Sequence, residues 1–437
     1  MRVFDSNDPR FYRKLESFIA KRSRDEGVES AVRGILADVR ARGDKAVLEY
    51  TRKFEGIDFR PRDLRVPAAE LASARRGLDR EARAAVRDAI GCVKAFHKEG
   101  LPRSWRGRNP HGARFGERWY PIRRVGIYIP AGTVPLVSTV VMTTTLAKLA
   151  GVPEIAVFTP ARKDGTLAPE MLAVLAMCGI GEVYRLGGAQ AIAAMAYGTR
   201  TIPAVHKVMG PGNAYVAEAQ RQVFGEVGVD LLPGPSEALA LADSTARPDY
   251  IAADLLAQAE HGTGKEKIYY IYLDEAQRKA VEAAIDRQLP ALGNRDAIAR
   301  VLRAGSAFIR AQDLDDAAAI ADFIAPEHLE LHVAAESFEP LIKRITTAGT
   351  ILCGHDSPTV LGDFAAGPSH TLPTNRTGRF FSGLKITDFM RRSSVVRYDR
   401  RSLTKARPVV AAFARMEGLD AHGRSLEIRF DGEGEGV

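Results

Sequence analysis

A chain of 437 residues exceeds the size at which one hydrophobic core stops growing, so two or more domains are expected. A hydrophobic fraction of 46% with 27% charged residues is that of an ordinary globular enzyme and excludes a disordered or fibrous protein. The net charge of +8 comes from arginines interleaved with acids, as in Arg75-Arg76-Gly77-Leu78-Asp79-Arg80-Glu81, which describes solvated helix faces and lacks the clustered basic stripe of a nucleic-acid binder.

The N-terminal segment, 1–24, is expected to be helical, with Phe11, Leu15, Phe18 and Ile19 on one face and no apolar signal region. Residues to 120 read as Arg-rich and mostly helical, with one helix stopped at Gly43 and another from Asp44. The texture changes at Val125. Strands are expected over 125–129, 154–158, 182–186 and 204–209, alternating with helices over 135–150, 168–177, 189–197 and 213–224. Such alternation builds βαβ units and a parallel sheet covered on both faces. A strand over 237–242 follows, then a helix from Pro248 through His261, closed by Gly262. Strands over 268–272, 306–309 and 350–352, with helices from Glu275 and Leu314, make a second α/β block. The fold class is therefore α/β, with two Rossmann-like parallel-sheet domains, a helical N-terminal region and a helical C-terminal tail. The expected division is 1–24, then 25–127 with 238–384 as one domain, 128–237 as the other, and 385–437 as the tail, whose 431–436 stretch is acidic and Gly-rich.

No uncharged run reaches the roughly 18 residues of a membrane span. The three cysteines, Cys92, Cys178 and Cys353, form no CxxC pair and leave one unpaired, as in a reducing compartment. A cytoplasmic protein with no membrane and no nucleic-acid partner is expected.

Of nine histidines, His97, His111, His206, His332 and His355 have no patterned polar neighbours and read as ordinary surface or core imidazoles. His261, His328, His370 and His422 each stand beside an acid, an amide or a Gly/Pro-rich turn. Gln258 and His261, at i and i+3, share one helix face and can bite one ion, although a surface helix shows the same spacing often. Asp363 and His370 begin and end a backbone-permissive loop, and Glu417 to His422 repeats the acid-then-imidazole theme. Gln, Asp and two His form an N/O donor set suited to zinc or another borderline cation. Glu327-His328 pairs a carboxylate with an imidazole able to accept a proton from an alcohol, and it also fits a helix start with an acid in its first turn. No GxGxxG occurs; Gly210-Pro211-Gly212-Asn213 and Gly187-Gly188-Ala189-Gln190 each pass from a strand to a helix whose first N–H groups can face an anion.

In this order the segments resemble the histidinol dehydrogenase family from about Val32 to Arg429. They are Val39-Arg40-Ala41-Arg42-Gly43-Asp44, Gly126-Ile127-Tyr128-Ile129-Pro130, Gly187 to Ala194, Gly210 to Asn213, Gly234-Pro235-Ser236-Glu237, Gln258 to Gly262, Glu327-His328-Leu329-Glu330, the Asp363 and His370 loop, and Glu417 to His422. The resemblance implies zinc held by Gln258, His261, Asp363 and His422, with His328 as general base and Glu327 assisting a water. It implies substrate contacts from Ser236, His370 and Glu417 as well as from the metal ligands and His328, and NAD contacts from Tyr128, Gln190 and Asn213. It further implies a homodimer in which the C-terminal tail completes the partner's site. The implied reaction is L-histidinol with two NAD+ and water giving L-histidine, the last step of histidine biosynthesis. The chain departs from the family's pattern at Ala131, Pro233 and Ser369. Alternatives are a zinc and NAD dehydrogenase of the same fold acting on another small polar alcohol such as a sulfopropanediol, a zinc hydrolase, and a metal-dependent binding protein.

Overall fold

Six parallel strands form the larger sheet, in the spatial order Arg2–Asp5, Ser306–Arg310, Lys267–Tyr272, Glu237–Ala242, His328–His332 and Thr350–Cys353. The computed structural model describes residues 1–19, 26–131, 135–232, 234–261 and 264–431. The inner strands Glu237–Ala242 and Lys267–Tyr272 are buried on both faces, so past their first residues they are built of Ala, Leu, Ile and Tyr. On one face Leu239, Leu241, Leu329 and Leu331 pack with Phe11, Leu15 and the helix Leu314–Ile324. On the other, Ala240, Ala242 and Tyr270 meet the helices Pro248–Ala259, Glu275–Gln288 and Arg295–Gly305. This second face matters for function. Ala238, Ala240 and Ala242 stand in register with His328, Glu330 and His332, and their small side chains leave room for a row of buried polar groups beneath a helix.

The second parallel sheet runs Glu182–Arg185, Glu154–Thr159, Arg124–Tyr128, Lys207–Met209 and Gly228–Val229. Helices Glu26–Arg42, Asp44–Glu55, Gly188–Tyr197 and Ala214–Val223 share one core on it. Helix Val137–Leu149 is buried nearly all round, which explains its uniformly apolar and Thr-rich sequence.

Three features differ from the sequence expectation. The chain opens with an edge strand, Arg2–Asp5, before the helix Phe11–Ile19. Val32, Ile35, Leu36 and Val47 pack on the Arg124–Tyr128 sheet, so this part of the 25–127 stretch serves that sheet and not the 238–384 strands. Arg-rich Trp105–Arg108 and Arg114–Pro121 are strands; Arg114–Pro121 is the middle one, paired antiparallel with Trp105–Arg108 on one side and with Met390–Arg397, inside the stretch expected to be a helical tail, on the other. Their charged side chains stay in solvent and mask the period of two. The chain divides into two units, Met1–Gly100 with Ile122–Phe389, and Leu101–Pro121 with Met390–Val437. The second unit holds the antiparallel sheet and the helices Arg400–Glu417 and Asp420–Glu427, separated by Gly418 in the left-handed region. Gly262, Pro233, Gly132 and the end of the acidic tail lie outside the described residues.

Candidate active site

Glu327 and His328 stand at the amino end of the strand His328–His332, not at the start of a helix. Both are buried. The Glu327 carboxylate accepts the Glu237 N–H at 2.8 Å, and His328 Nδ1 donates to the Glu237 carbonyl oxygen at 3.3 Å. The neighbouring strand therefore fixes both side chains through its own backbone. With Nδ1–H committed, Nε2 carries the lone pair; it has no hydrogen-bond partner and lies 3.8 Å from Asp363 Oδ1. Burial holds the imidazole below its usual range against the opposing pull of Asp363. Burial also pushes the Glu327 carboxyl well above the carboxylate range, opposed by the Glu237 N–H and reinforced by the Glu237 and Asp363 charges.

Helix Pro248–Ala259 brings Gln258 over the same face; His261 follows in the turn after the helix end. His261 Nδ1 donates to the Gln258 carbonyl at 3.1 Å, using one of the acceptors that a helix end leaves unpaired. The Gln258 side chain is buried, and its Nε2 has no partner. Asp363 lies on the short helix Thr359–Phe364. Gly367, at φ +105°, turns the chain where a side chain would press on the Cys92 carbonyl, and the loop returns His370 to Asp363. His370 Nδ1 donates to the Asp363 carbonyl at 3.1 Å, and its Nε2 accepts from the Thr139 hydroxyl at 3.1 Å. Burial lowers the His370 pKa; Asp363 opposes this and His261 adds to it. His261, His328, Asp363 and His370 thus feel one another's charge, with Gln258 one helical turn from His261. Thr139 belongs to the helix Val137–Leu149, so the cluster touches the half of the molecule built on the second sheet.

At the carboxyl ends of that second sheet, Tyr128 and Gln190 come together. The Tyr128 hydroxyl accepts the Gly188 N–H at 3.2 Å, and Gln190 Nε2 donates to Glu55 at 3.3 Å. Both side chains are buried beneath the Gly187-Gly188 turn. Burial pushes the Tyr128 hydroxyl up to about 12. Gly210, at φ +102°, sits on the Tyr128 carbonyl, where any side chain would collide. Asn213 caps the helix Ala214–Val223, its Oδ1 accepting from Tyr215 and Val216 N–H at 3.0 and 3.1 Å. The strands Arg124–Tyr128 and Lys207–Met209 flank the point where the sheet order reverses, the usual ligand crevice of a doubly wound sheet.

Ser236 precedes the strand Glu237–Ala242, and its carbonyl accepts the Lys267 N–H at 3.0 Å. Ser369 is buried, and its hydroxyl accepts the Thr371 N–H at 3.3 Å, supporting the loop that carries His370. Glu417 and His422 belong to the second unit and are exposed there, so the first unit alone does not gather the whole expected ligand set.

Two groups escaped the sequence reading. Glu55, at the end of its helix, accepts from Gly187 N–H at 3.2 Å as well as from Gln190. His332, expected to be an ordinary histidine, is buried between Asp254 and Glu330. The alternation His-Leu-Glu-Leu-His was the available signal for the second. For Glu55 none existed, because its partners are remote in sequence.

Burial pushes the Glu55 carboxyl up to about 7, against the pull of the Gly187 and Ala161 N–H groups. The folded state therefore favours the protonated form, a contribution complete below the ordinary 4.5 and lost as pH rises through about 7. Glu55→Gln is expected to remove this slope and to be more stable than the parent at pH 8, by up to roughly 3 kcal/mol. Thermal denaturation of both proteins at pH 5 and pH 8 checks it; an equal gap at both pH values contradicts it.

A parallel-sheet half with glycine turns at its ligand crevice, beside a half that buries an imidazole with a free Nε2 among amide, imidazole and carboxylate donors, defines an α/β oxidoreductase acting on an alcohol. The family model for histidinol dehydrogenase matches residues 19–430. Histidinol dehydrogenases of Rhizobium meliloti (strain 1021) and Brucella melitensis are each 44% identical, over 97% of this chain and 97% and 98% of their own lengths. The crystal structure of histidinol dehydrogenase from Elizabethkingia anophelis superposes with a TM-score of 0.92 at 31% identity, covering 98% of each chain. The chain belongs to the histidinol dehydrogenase family.

Proposed function

We propose that this protein oxidises L-histidinol through L-histidinal to L-histidine with two NAD+, and that Gln258, His261, Asp363 and His422 of the partner subunit hold a zinc ion. One observation carries the reading: His261, His328 and His370 each direct Nδ1 to a backbone carbonyl. Fixed in this way, His261 and His328 offer Nε2 as a ligand or base in a set direction, while the His370 Nε2 is held by the Thr139 hydroxyl. The donors fit zinc. His261 Nε2 and the Asp363 carboxylate are an N/O pair, and the buried Gln258 amide lacks a partner that a metal or substrate would supply. The second sheet fits NAD, with two glycine turns at helix starts and a buried Gln190 Oε1 without a partner.

NAD would supply the hydride acceptor, and a zinc ion held by Gln258, His261, Asp363 and His422 of the partner subunit would supply a Lewis acid to position the substrate. His328 Nε2 takes the hydroxyl proton as the alcohol is oxidised. Its lowered pKa keeps it neutral and ready at physiological pH. Glu327, a stronger base than an exposed carboxylate because it is buried, takes a proton from the water that attacks the aldehyde. Once His328 has released that first proton to solvent, its Nε2 accepts the proton of the hydrate in the second oxidation. His370, braced by Thr139 and the Asp363 carbonyl, and Ser236 contact the substrate; Tyr128, Gln190 and Asn213 line the NAD side. Glu417 joins the substrate site from the partner.

A homodimer is supported by the second unit's surface. Val409, Phe413 and Met416 repeat at helical spacing on Arg400–Glu417 and are exposed, as is Leu419 beyond Gly418, apolar side chains that an isolated chain leaves in water. No described helix is long and apolar enough to cross a membrane. Three free cysteines support a cytoplasmic location.

Incubation with L-histidinol and excess NAD+ is expected to give two NADH per histidine, to stop on chelation and to resume with zinc. One NADH per substrate, or faster turnover of a sulfopropanediol, contradicts this assignment.

A further inference from the structure

Next to the site lies a buried ionic group to which the reaction assigns no part. His332 Nε2 is 3.4 Å from Asp254 Oδ2 and 3.5 Å from Glu330 Oε2. Glu330 Oε1 accepts both the N–H and the hydroxyl of Thr359, each at 2.6 Å. His332 is 1% exposed and Glu330 2%. Burial opposes a charge on the imidazole, but the two carboxylates outweigh it and push His332 up to about 9. On its far side His332 stacks on His355 at 6.0 Å.

The placement of the three elements is what points to function. Asp254 precedes Gln258 by one helical turn on the same helix face. Glu330 and His328 alternate on one face of one strand. Thr359 begins the short helix on which Asp363 stands one turn later. Each element that presents a donor or base to the reaction is thus tied, one step back, to a single ionic node. Burying Glu330 and His332 against a half-buried Asp254 is a poor way to gain stability, since an apolar cluster of equal volume serves as well. What the node supplies is direction, through the short hydrogen bonds from Thr359 to Glu330 and the ion-pair contacts of His332 with Asp254 and Glu330.

Resting on the metal assignment above, we propose that Asp254, Glu330 and His332 are positioning residues that set the spacing of Gln258, Asp363 and His328 around the zinc and substrate. Outer-shell partners of this kind are typically worth ten- to a hundred-fold in metal affinity.

The test is zinc affinity by chelator competition, with the absorption spectrum of the cobalt-substituted enzyme, on wild type, Glu330→Gln, His332→Gln and Thr359→Val. Thr359→Val keeps the side-chain shape and removes one hydrogen bond, so it stands in if the others fail to fold. Glu182→Gln weakens a half-buried pair with Arg124 in the other sheet and serves as a control for general destabilisation. Glu330→Gln and His332→Gln are expected to bind zinc roughly ten- to a hundred-fold more weakly with a shifted cobalt spectrum, and Thr359→Val a few-fold more weakly. Glu182→Gln is expected to keep wild-type affinity. Unchanged affinity and spectrum in all three site variants overturns the proposal, as does equal weakening in Glu182→Gln. Two zinc ions per wild-type chain also overturns it, because the triad's ligand atoms lie within 4.8 Å of one another and would hold the second. Absence of any zinc from wild type instead defeats the underlying metal assignment.

Discussion

Replacing His328 with asparagine lowers kcat for L-histidinol by roughly two to four orders of magnitude, the range a positioned general base contributes. The substitution is chosen on geometry. An asparagine amide can still donate to the Glu237 carbonyl that His328 Nδ1 engages at 3.3 Å, so the neighbouring strand is left undisturbed. What disappears is the Nε2 lone pair, which in the native protein is buried without a partner and waits for a proton. Zinc affinity is expected to stay within a few-fold of wild type, since His328 is not a metal ligand in this account. Steady-state rates of NAD reduction together with chelator competition separate the two effects. A kcat within ten-fold of wild type removes His328 from the proton transfer.

His422→Ala is expected to be as inactive as His328→Asn, and the two defects should complement one another. If each tail completes the other chain's site, a hybrid dimer contains one site with both lesions and one with neither. Random mixing of equal amounts through dissociation and reassociation then restores about a quarter of wild-type activity. If each tail served its own chain, every site would carry one lesion and the mixture would stay inactive. His422 is exposed in the second unit, and the exposed apolar Val409, Phe413 and Met416 on the preceding helix support a second copy as the cover of this unit.

The strand Glu237–Ala242 was legible to the residue, because a fully buried parallel strand writes itself as an apolar run bounded by turn residues. The next strand, His328–His332, was not. Three of its five side chains are ionisable, and only the alanines opposite them on Glu237–Ala242 make such residues tolerable inside a sheet. The reverse masking hid Arg114–Pro121, whose outward charges make a strand look like a solvated helix. At the site, the i, i+3 spacing of Gln258 and His261 was visible, and so was the loop that returns His370 to Asp363. Their convergence rested on the family resemblance and not on periodicity. The Nδ1 contacts to backbone carbonyls could not be read at all, since a carbonyl leaves no mark on the sequence. Asp254 and His332 escaped for a related reason: each looks ordinary until the helix Pro248–Ala259 is laid across the sheet.

Anomalous diffraction at the zinc edge, from crystals grown with zinc, locates the ion and its ligands. One peak per chain is expected, at bonding distances of about 2.0–2.2 Å from the Gln258 amide, His261 Nε2, the Asp363 carboxylate and His422 of the partner subunit. A peak instead between Asp254, Glu330 and His332, or one that leaves Gln258, His261 and Asp363 uncoordinated, contradicts that ligand set.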